Sequence, residues 1–238
     1  MQGPVDLAAA ISRTREWIHS AEHVLVLTGA GISTDSGVPT PARREALDWT
    51  ENVCGRRRMW RALAHFFRAV LPNAGHHALA DLERAGRLGT LITQNVDGLH
   101  LVAGNSRHRL IEYHGDRRVA LCLACGSRIP TRLVLDVVDA GNDDPRCVCG
   151  GILRPAVLSG AGQVDPEAHH RAVSAARRAD LLIAVGTSLS RFPVAGLARL
   201  AAARGRLVIV NRSVTRLDDV ADLVVRGSIS EVLPQLVV

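Results

Sequence analysis

The sequence predicts an α/β fold built on a parallel sheet, and three observations predict it. Short, largely apolar runs recur along the chain, at Val24–Leu27, Leu88–Thr93, Leu181–Val185, Leu207–Val210 and Leu223–Val225. Helical patterns separate them, and each run ends directly in small or polar residues. Buried strands alternating with helices specify a sheet covered on both faces, that is, doubly wound. Four cysteines crowded between positions 122 and 149 add a separate module to that sheet. The 238 residues suffice for one large domain with a small insert.

The elements follow in order. Leu7–Ala21 carries Leu7, Ala10, Ile11, Thr14 and Ile18 at helical spacing behind Asp6, a good N-cap, and is expected beside the first strand. Val24–Leu27 then feeds Thr28–Pro39, which reads TGAGISTDSGVP. Gly29 and Gly31 allow a sharp turn and a close approach to a ligand. Backbone N–H groups in such a loop, with a helix start behind them, attract phosphate, and Ser33 and Ser36 add hydroxyls. The loop is not a dinucleotide fingerprint, because Thr34 holds the place of its last glycine, and it is not a P-loop, because the chain has no lysine. Pro39-Thr40-Pro41 forbids regular helix. Arg56–Val70 reads as an amphipathic helix with Met59, Leu63, Phe66, Phe67 and Val70 inward, and His76–Ala85 as a third helix stopped by Gly86.

Polar residues placed directly after a parallel strand lie where open α/β sheets bind ligands. Gln94–His100 (QNVDGLH) follows one strand, and Leu110–Gly115 (LIEYHG) repeats the pattern on a smaller scale. Gly186-Thr187-Ser188, Asn211-Arg212-Ser213 and Gly227-Ser228 follow the last three strands, with helices expected over Pro193–Ala203 and Ile229–Leu236. Four of these strand tails, Gly29–Gly37, Gln94–His100, Gly186–Ser188 and Asn211–Ser213, converge on one crevice in a doubly wound sheet, and together they suit a nucleotide.

Composition narrows the function classes. The chain is 47% hydrophobic but only 3% aromatic, so alanine, valine and leucine must fill the core. The net charge of +6 comes from arginines that are scattered, with Arg56-Arg57-Arg58 as the only run of three, which argues against a specific nucleic-acid partner. No apolar run approaches the length needed to span a membrane, and the opening Met1–Asp6 is polar rather than leader-like. The chain is therefore read as cytoplasmic. Cys122-x-x-Cys125 is a sound half-site for tetrahedral zinc, and Cys147-x-Cys149 before Gly150-Gly151 supplies the other half. Cys54 is left over and reads as a small buried hydrophobe.

GAGISTDSGVP, TQNVDGLH, the Glu112-Tyr113-His114-Gly115 segment, the paired cysteines, GTSL at Gly186–Leu189 and VIVN at Val208–Asn211 occur in the order found in sirtuins. The resemblance extends from Val24 to the terminal helix. It implies a Rossmann-like doubly wound parallel sheet with a small inserted zinc-ribbon and helical domain. The large lobe would take about 1–40, 86–115 and 156–238, and the small lobe about 41–85 and 116–155. It implies removal of acyl groups from lysine, acetyl by default, at the expense of NAD. In that chemistry the acyl oxygen attacks the nicotinamide ribose carbon, and nicotinamide and O-acyl-ADP-ribose are released. By similarity His114 is the general base on a ribose hydroxyl, a task suited to a neutral imidazole. Asn95 and Asp97 would hold the ribose and the nicotinamide amide, and Gln94 the ribose. Gly29, Ala30, Gly31 and Ser33 would meet the pyrophosphate. Gly186, Thr187, Ser188 and Asn211 would meet the adenosine half, with Gly37, Arg212 and Ser213 completing the cofactor set. Zn²⁺ would be structural, on Cys122, Cys125, Cys147 and Cys149; the family's second pair is normally spaced by two residues, so Cys147 must reach from one position along. His76, His77, His169 and His170 read as ordinary core or surface histidines, and His100 as packing.

Two segments depart from the family. Its usual Asp-Phe-Arg after the glycine loop is Thr40-Pro41-Ala42 here, so the aromatic shield of nicotinamide and a phosphate-facing arginine are gone unless Arg43 or Arg44 substitutes. Ala156–Gln163 lacks the family's phenylalanine beside the substrate peptide. These losses keep two rivals open: an ADP-ribosyltransferase or glycohydrolase with a non-peptide acceptor, and a non-catalytic NAD or ADP-ribose sensor. The acyl preference, the protein target and the oligomeric state are not specified by the sequence.

Overall fold

The computed structural model describes residues 6–39, 52–158 and 164–237. Six strands, β1 (Val24–Thr28), β2 (Thr90–Thr93), β3 (Leu110–Glu112), β7 (Leu181–Val185), β8 (Arg206–Val210) and β9 (Leu223–Val225), form one sheet. All its pairings are parallel, in the order β3-β2-β1-β7-β8-β9. Between β3 and β7 the chain builds a second, antiparallel sheet from β4 (Gly115–Cys122), β5 (Arg128–Pro130) and β6 (Leu153–Val157), ordered β5-β4-β6. With that insert set aside, the large sheet has the strand order of a dinucleotide-binding fold, which reverses direction between β1 and β7.

Side chains of β1 alternate between two cores, as the two-residue period of a strand requires. Val24 and Val26 face one core, with α1 (Leu7–Ser20), α3 (Ala74–Arg84) and α8 (Ile229–Gln235). Leu25 and Leu27 face the other, with α6 (Pro166–Arg178) and α7 (Val194–Ala202). The helices on this second face bury mainly alanines, among them Ala172, Ala176, Ala198 and Ala201, which is how a chain so poor in aromatics closes its core. Asp6 caps α1 by accepting the N–H of Ala8, as expected. The helix lies against β9 at the sheet edge, and Leu7 is exposed. A short helix, α4 (Leu99–Ala103), follows the β2 tail and packs on α3.

A third core joins α2 (Val53–Ala69) and α5 (Thr131–Asp139) to the antiparallel sheet through Trp60, Leu63, Val134, Ala120, Cys122 and Cys147. Of the face of α2 expected inward, Leu63 is buried and Met59 and Phe67 pack against this core, while Phe66 and Val70 are only half-buried and the fully buried positions also include Arg56 and Trp60. Cys54 is exposed in the first turn of α2, not a core residue. α3, expected with the small lobe, belongs to the large one, because Ala78, Leu79 and Leu82 pack with the sheet and α8. Its inward positions match the α8 residues Ile229, Val232 and Leu233, and this pairing decides the lobe. The Thr40–Arg44 departure and Gly160–Gln163 lie outside the described residues. No helix among the described residues is long and apolar enough to cross a membrane.

Candidate active site at the switch point of the sheet

Where the strand order reverses, the tails of β1 and β7 touch. Gly29 N–H donates to the Val185 carbonyl at 3.0 Å and Gly31 N–H to the Gly186 carbonyl at 2.8 Å. A Cβ on Gly31 would stand 2.7 Å from Gly186 Cα, and one on Gly186, which has φ +60, would stand 2.5 Å from Ile32 N. These glycines are thus required by the packing of one loop on the other. Two of the amides expected to receive phosphate are already used in that packing. Behind them the chain forms a 3₁₀ turn, Ala30–Ser36, in place of an α-helix start. Gly37, at φ +82, ends that turn and does not line the cavity below.

A cavity of about 530 Å³ opens over these tails. Gly29, Ala30 and Gly31 line it from β1, Gln94 and Asn95 from β2, and His114 from the bend between β3 and β4. Gly186, Thr187 and Ser188 line it from β7, and Asn211, Arg212 and Ser213 from β8. The volume lies in the range of small-molecule and cofactor sites. Thr34 and Asp35 of the Gly29–Gly37 tail also line it, and so do Leu189, Ser190, Arg191, Val194, Gly227 and Ile229, which sequence reasoning missed. Gln94 donates its side-chain amide to Thr187 Oγ1 at 2.9 Å, bridging the two halves.

Ser33 and Asp97 stand behind the wall rather than in it. Asn95 Nδ2 donates to the Gly29 carbonyl at 3.2 Å and to Ser33 Oγ at 3.1 Å. Ser33 donates its own proton to Asp97 Oδ2 at 2.8 Å, and the other oxygen of Asp97 receives Leu99 N–H at 3.0 Å. His76 completes the network. Its Nδ1 accepts Asn73 N–H at 3.3 Å, which leaves Nε2–H to donate to Ser33 Oγ at 3.4 Å. Burial holds the His76 pKa down at about 4, although the Asp97 charge opposes the shift. His76 is thus more than the ordinary histidine expected; the available signal is its place at the third helical position after Asn73, where it closes a capping box. His100 is buried against Thr28 Oγ1 at 3.0 Å and packs, as expected.

The His114 ring meets Tyr113 edge to face, with centroids 5.4 Å apart. Tyr113 is fully buried, burial pushes its pKa up to about 12, and its hydroxyl lies 2.6 Å from His169 Nδ1. Two residues before His114, Glu112 is pushed up to about 7, by burial first and then by the charge of Asp116.

In the small lobe the four cysteine sulfurs all lie within 4.8 Å of one another. Cys122 and Cys149 sulfurs are 3.6 Å apart, and those of Cys125 and Cys147 are 3.7 Å apart. Four thiolates at about 2.3 Å from a tetrahedral zinc would be separated by about 3.8 Å, so the cluster fits that metal. Cys147 joins the cluster because Gly150 N–H bonds to its carbonyl and its own N–H bonds to Gly151, curling the short spacing into a knuckle. Gly151 lies against the sulfurs, since a Cβ there would fall 2.6 Å from Cys122 Sγ.

Comparison with known proteins agrees with this geometry. The profile of the Sir2 family matches residues 29–193. The chain belongs to the Sir2 family. NAD-dependent protein deacetylase 2 of Streptomyces coelicolor is 42% identical to this sirtuin over 232 residues, covering 90% of this chain and 95% of the relative. An NAD-dependent protein deacetylase of Sulfurisphaera tokodaii is 36% identical over 92% of this chain and 91% of its own length. A solved Sir2 bound to acetylated peptide superposes on the sirtuin with a TM-score of 0.83 at 28% identity, covering 95% of this chain and 96% of that one. A Sir2 complex with p53 peptide and NAD+ gives 0.81 at 28% identity, with the same coverage.

Proposed function

We propose that this sirtuin is an NAD-dependent protein-lysine deacylase that releases nicotinamide and O-acyl-ADP-ribose, with acetyl as the acyl group. The observation that carries the reading is the meeting of His114 with the β1, β2, β7 and β8 tails in one cavity. NAD, when bound, supplies the ribose carbon that accepts the acyl oxygen. Everything else falls to the chain. His114 takes the proton of a ribose hydroxyl. Asn95 and Asp97, held by Ser33, orient the nicotinamide end. The Gly29–Gly31 tail cradles the phosphates, and Gly186–Ser188 with Asn211–Ser213 the adenosine half. Zinc on Cys122, Cys125, Cys147 and Cys149 has four protein ligands, which closes it to substrate and makes it structural. The reading places the protein in the cytoplasm, working on acyl-lysine proteins rather than on nucleic acid or a membrane surface.

The test is incubation with NAD, with and without an acetyl-lysine peptide, following nicotinamide and O-acetyl-ADP-ribose. Peptide-dependent release of both is expected. Nicotinamide release without peptide dependence would instead make the protein a glycohydrolase or transferase, and binding without turnover would make it a sensor. His114→Ala is expected to lower turnover at least a hundredfold, within the range a lost general base produces, while NAD affinity changes by less than about threefold. An active variant would remove the assignment of the base.

A further inference from the structure

Between Glu112 and Asp116 the chain makes the bend that carries His114, and a single guanidinium spans it. Arg118 Nη2 donates to both oxygens of Glu112, at 3.1 and 3.2 Å, and to Asp116 Oδ2 at 2.8 Å. Its Nε donates to Asp116 Oδ1 at 3.0 Å, and its backbone N–H reaches the same oxygen at 2.8 Å. The three side chains are only 9–19% exposed, so solvent screens them weakly.

The same arginine presses on the loop that carries Asn95 and Asp97. Gly98, at φ +77, leaves room for it: a Cβ there would fall 2.5 Å from Arg118 Nε and 2.6 Å from Cδ. One residue earlier, Arg117 N–H donates to the Val96 carbonyl at 3.2 Å, joining the bend to that loop through the backbone. His114, Asn95 and Asp97 arrive from two different strand tails, and Arg118 is where the tails are locked together. The planar fork fixes the two carboxylates in one rigid geometry, which the flexible point charge of a lysine does not.

We propose that Arg118 is a positioning residue, which staples the His114 bend closed and braces it against the Asn95–Gly98 loop. The catalytic consequence rests on the proposed deacylase reading; the mechanical part does not. Arg118→Met keeps the stem of the side chain and removes the fork. In Arg118→Met, kcat for peptide-dependent nicotinamide release is expected to fall at least tenfold. Affinity for ADP-ribose, which lacks the nicotinamide, should stay within threefold. Hydrogen exchange at the Arg117 and Leu99 amides should accelerate at least tenfold, while the β7 amides of Leu182 and Ile183 keep their protection. Arg118→Lys, which restores charge without the fork, should recover less than half of the lost kcat. The proposal is overturned by unchanged exchange at Arg117 and Leu99, by exchange that accelerates equally in β7, by a kcat within twofold of the parent, or by full recovery with lysine. Should the parent itself show no turnover, the deacylase reading falls, and the exchange rates alone decide whether Arg118 staples the bend.

Discussion

Protons on two buried side chains set opposing dependences on pH. Glu112 titrates at about 7 in the fold against an ordinary 4.5, because burial and Asp116 disfavour its charge more than Arg118 and Arg107 favour it. The native state therefore binds more protons than the unfolded chain between those values, and this contribution to stability grows as pH falls. His76 titrates at about 4 against 6.5, so the native state binds fewer protons there, and its contribution shrinks as pH falls. The two windows overlap, and in the parent they largely offset each other. Glu112→Gln removes one side of the balance. At pH 8 the variant should exceed the parent in stability by about 1–3 kcal/mol, since each tenfold change in proton affinity is worth about 1.4 kcal/mol and solvent screens part of it. That margin should vanish by pH 4.5, where the Glu112 carboxyl of the parent is neutral in the fold. Urea unfolding across the range is the measurement, and a margin that does not change with pH would contradict the burial assigned to Glu112.

Secondary elements differ in how plainly the sequence announces them. β1, β7 and β8 are legible because strands buried on both faces read as unbroken apolar runs, and the half-buried edge strand β9 keeps a short apolar run of its own. The small-lobe strands are not: β4 is half-buried, carries Asp116, Arg117 and Arg118, and shows no clean alternation. α6 escapes notice because its inward face is made of alanines, which give little periodic contrast. The strand-tail half of the site is legible for the same reason as the strands, whereas the link from Ser33 to His76 spans 43 residues and leaves no local trace. Another long-range device joins α2 to the zinc knuckle. Arg56, buried at 3% exposure, forks onto Asp144 at 2.7 and 2.8 Å, while Arg57 and Arg61 hold Asp143. Removing Arg56 leaves Asp144 with only the more exposed Arg146 as its ion-pair partner, so Arg56→Met should cost about 1–3 kcal/mol in urea unfolding. A loss under about 0.5 kcal/mol would mean that the clasp is dispensable. At the knuckle itself, Cys147→Ser should reduce bound zinc from one per chain to well below one by metal analysis, because three thiolates close the site poorly. Full zinc retention would exclude Cys147 as a ligand.

The whole molecule is arranged so that two loops from neighbouring parallel strands lie closer than side chains permit. That closeness, more than any single polar group, gives the cavity its floor, and it can be tested with glycines of equal backbone need but unequal surroundings. Gly186 and Gly37 both have positive φ, so alanine at either costs about 1 kcal/mol in backbone strain. At Gly37 an added Cβ meets nothing within 4 Å. At Gly186 it meets the backbone of Gly31 and Ile32 at 2.5–2.9 Å, and backbone cannot rotate aside. Gly186→Ala must therefore push the β1 and β7 tails apart and break the bond from Gly31 N–H to the Gly186 carbonyl. ADP-ribose should bind at least thirtyfold more weakly to Gly186→Ala by calorimetry, a loss of about 2 kcal/mol, and within threefold of the parent to Gly37→Ala. Zinc content should be unchanged in both, since the third core lies apart from the switch point. Equal affinities in the two variants would show that the tails tolerate separation, and the cavity would then owe its shape to something other than the contact between Gly31 and Gly186.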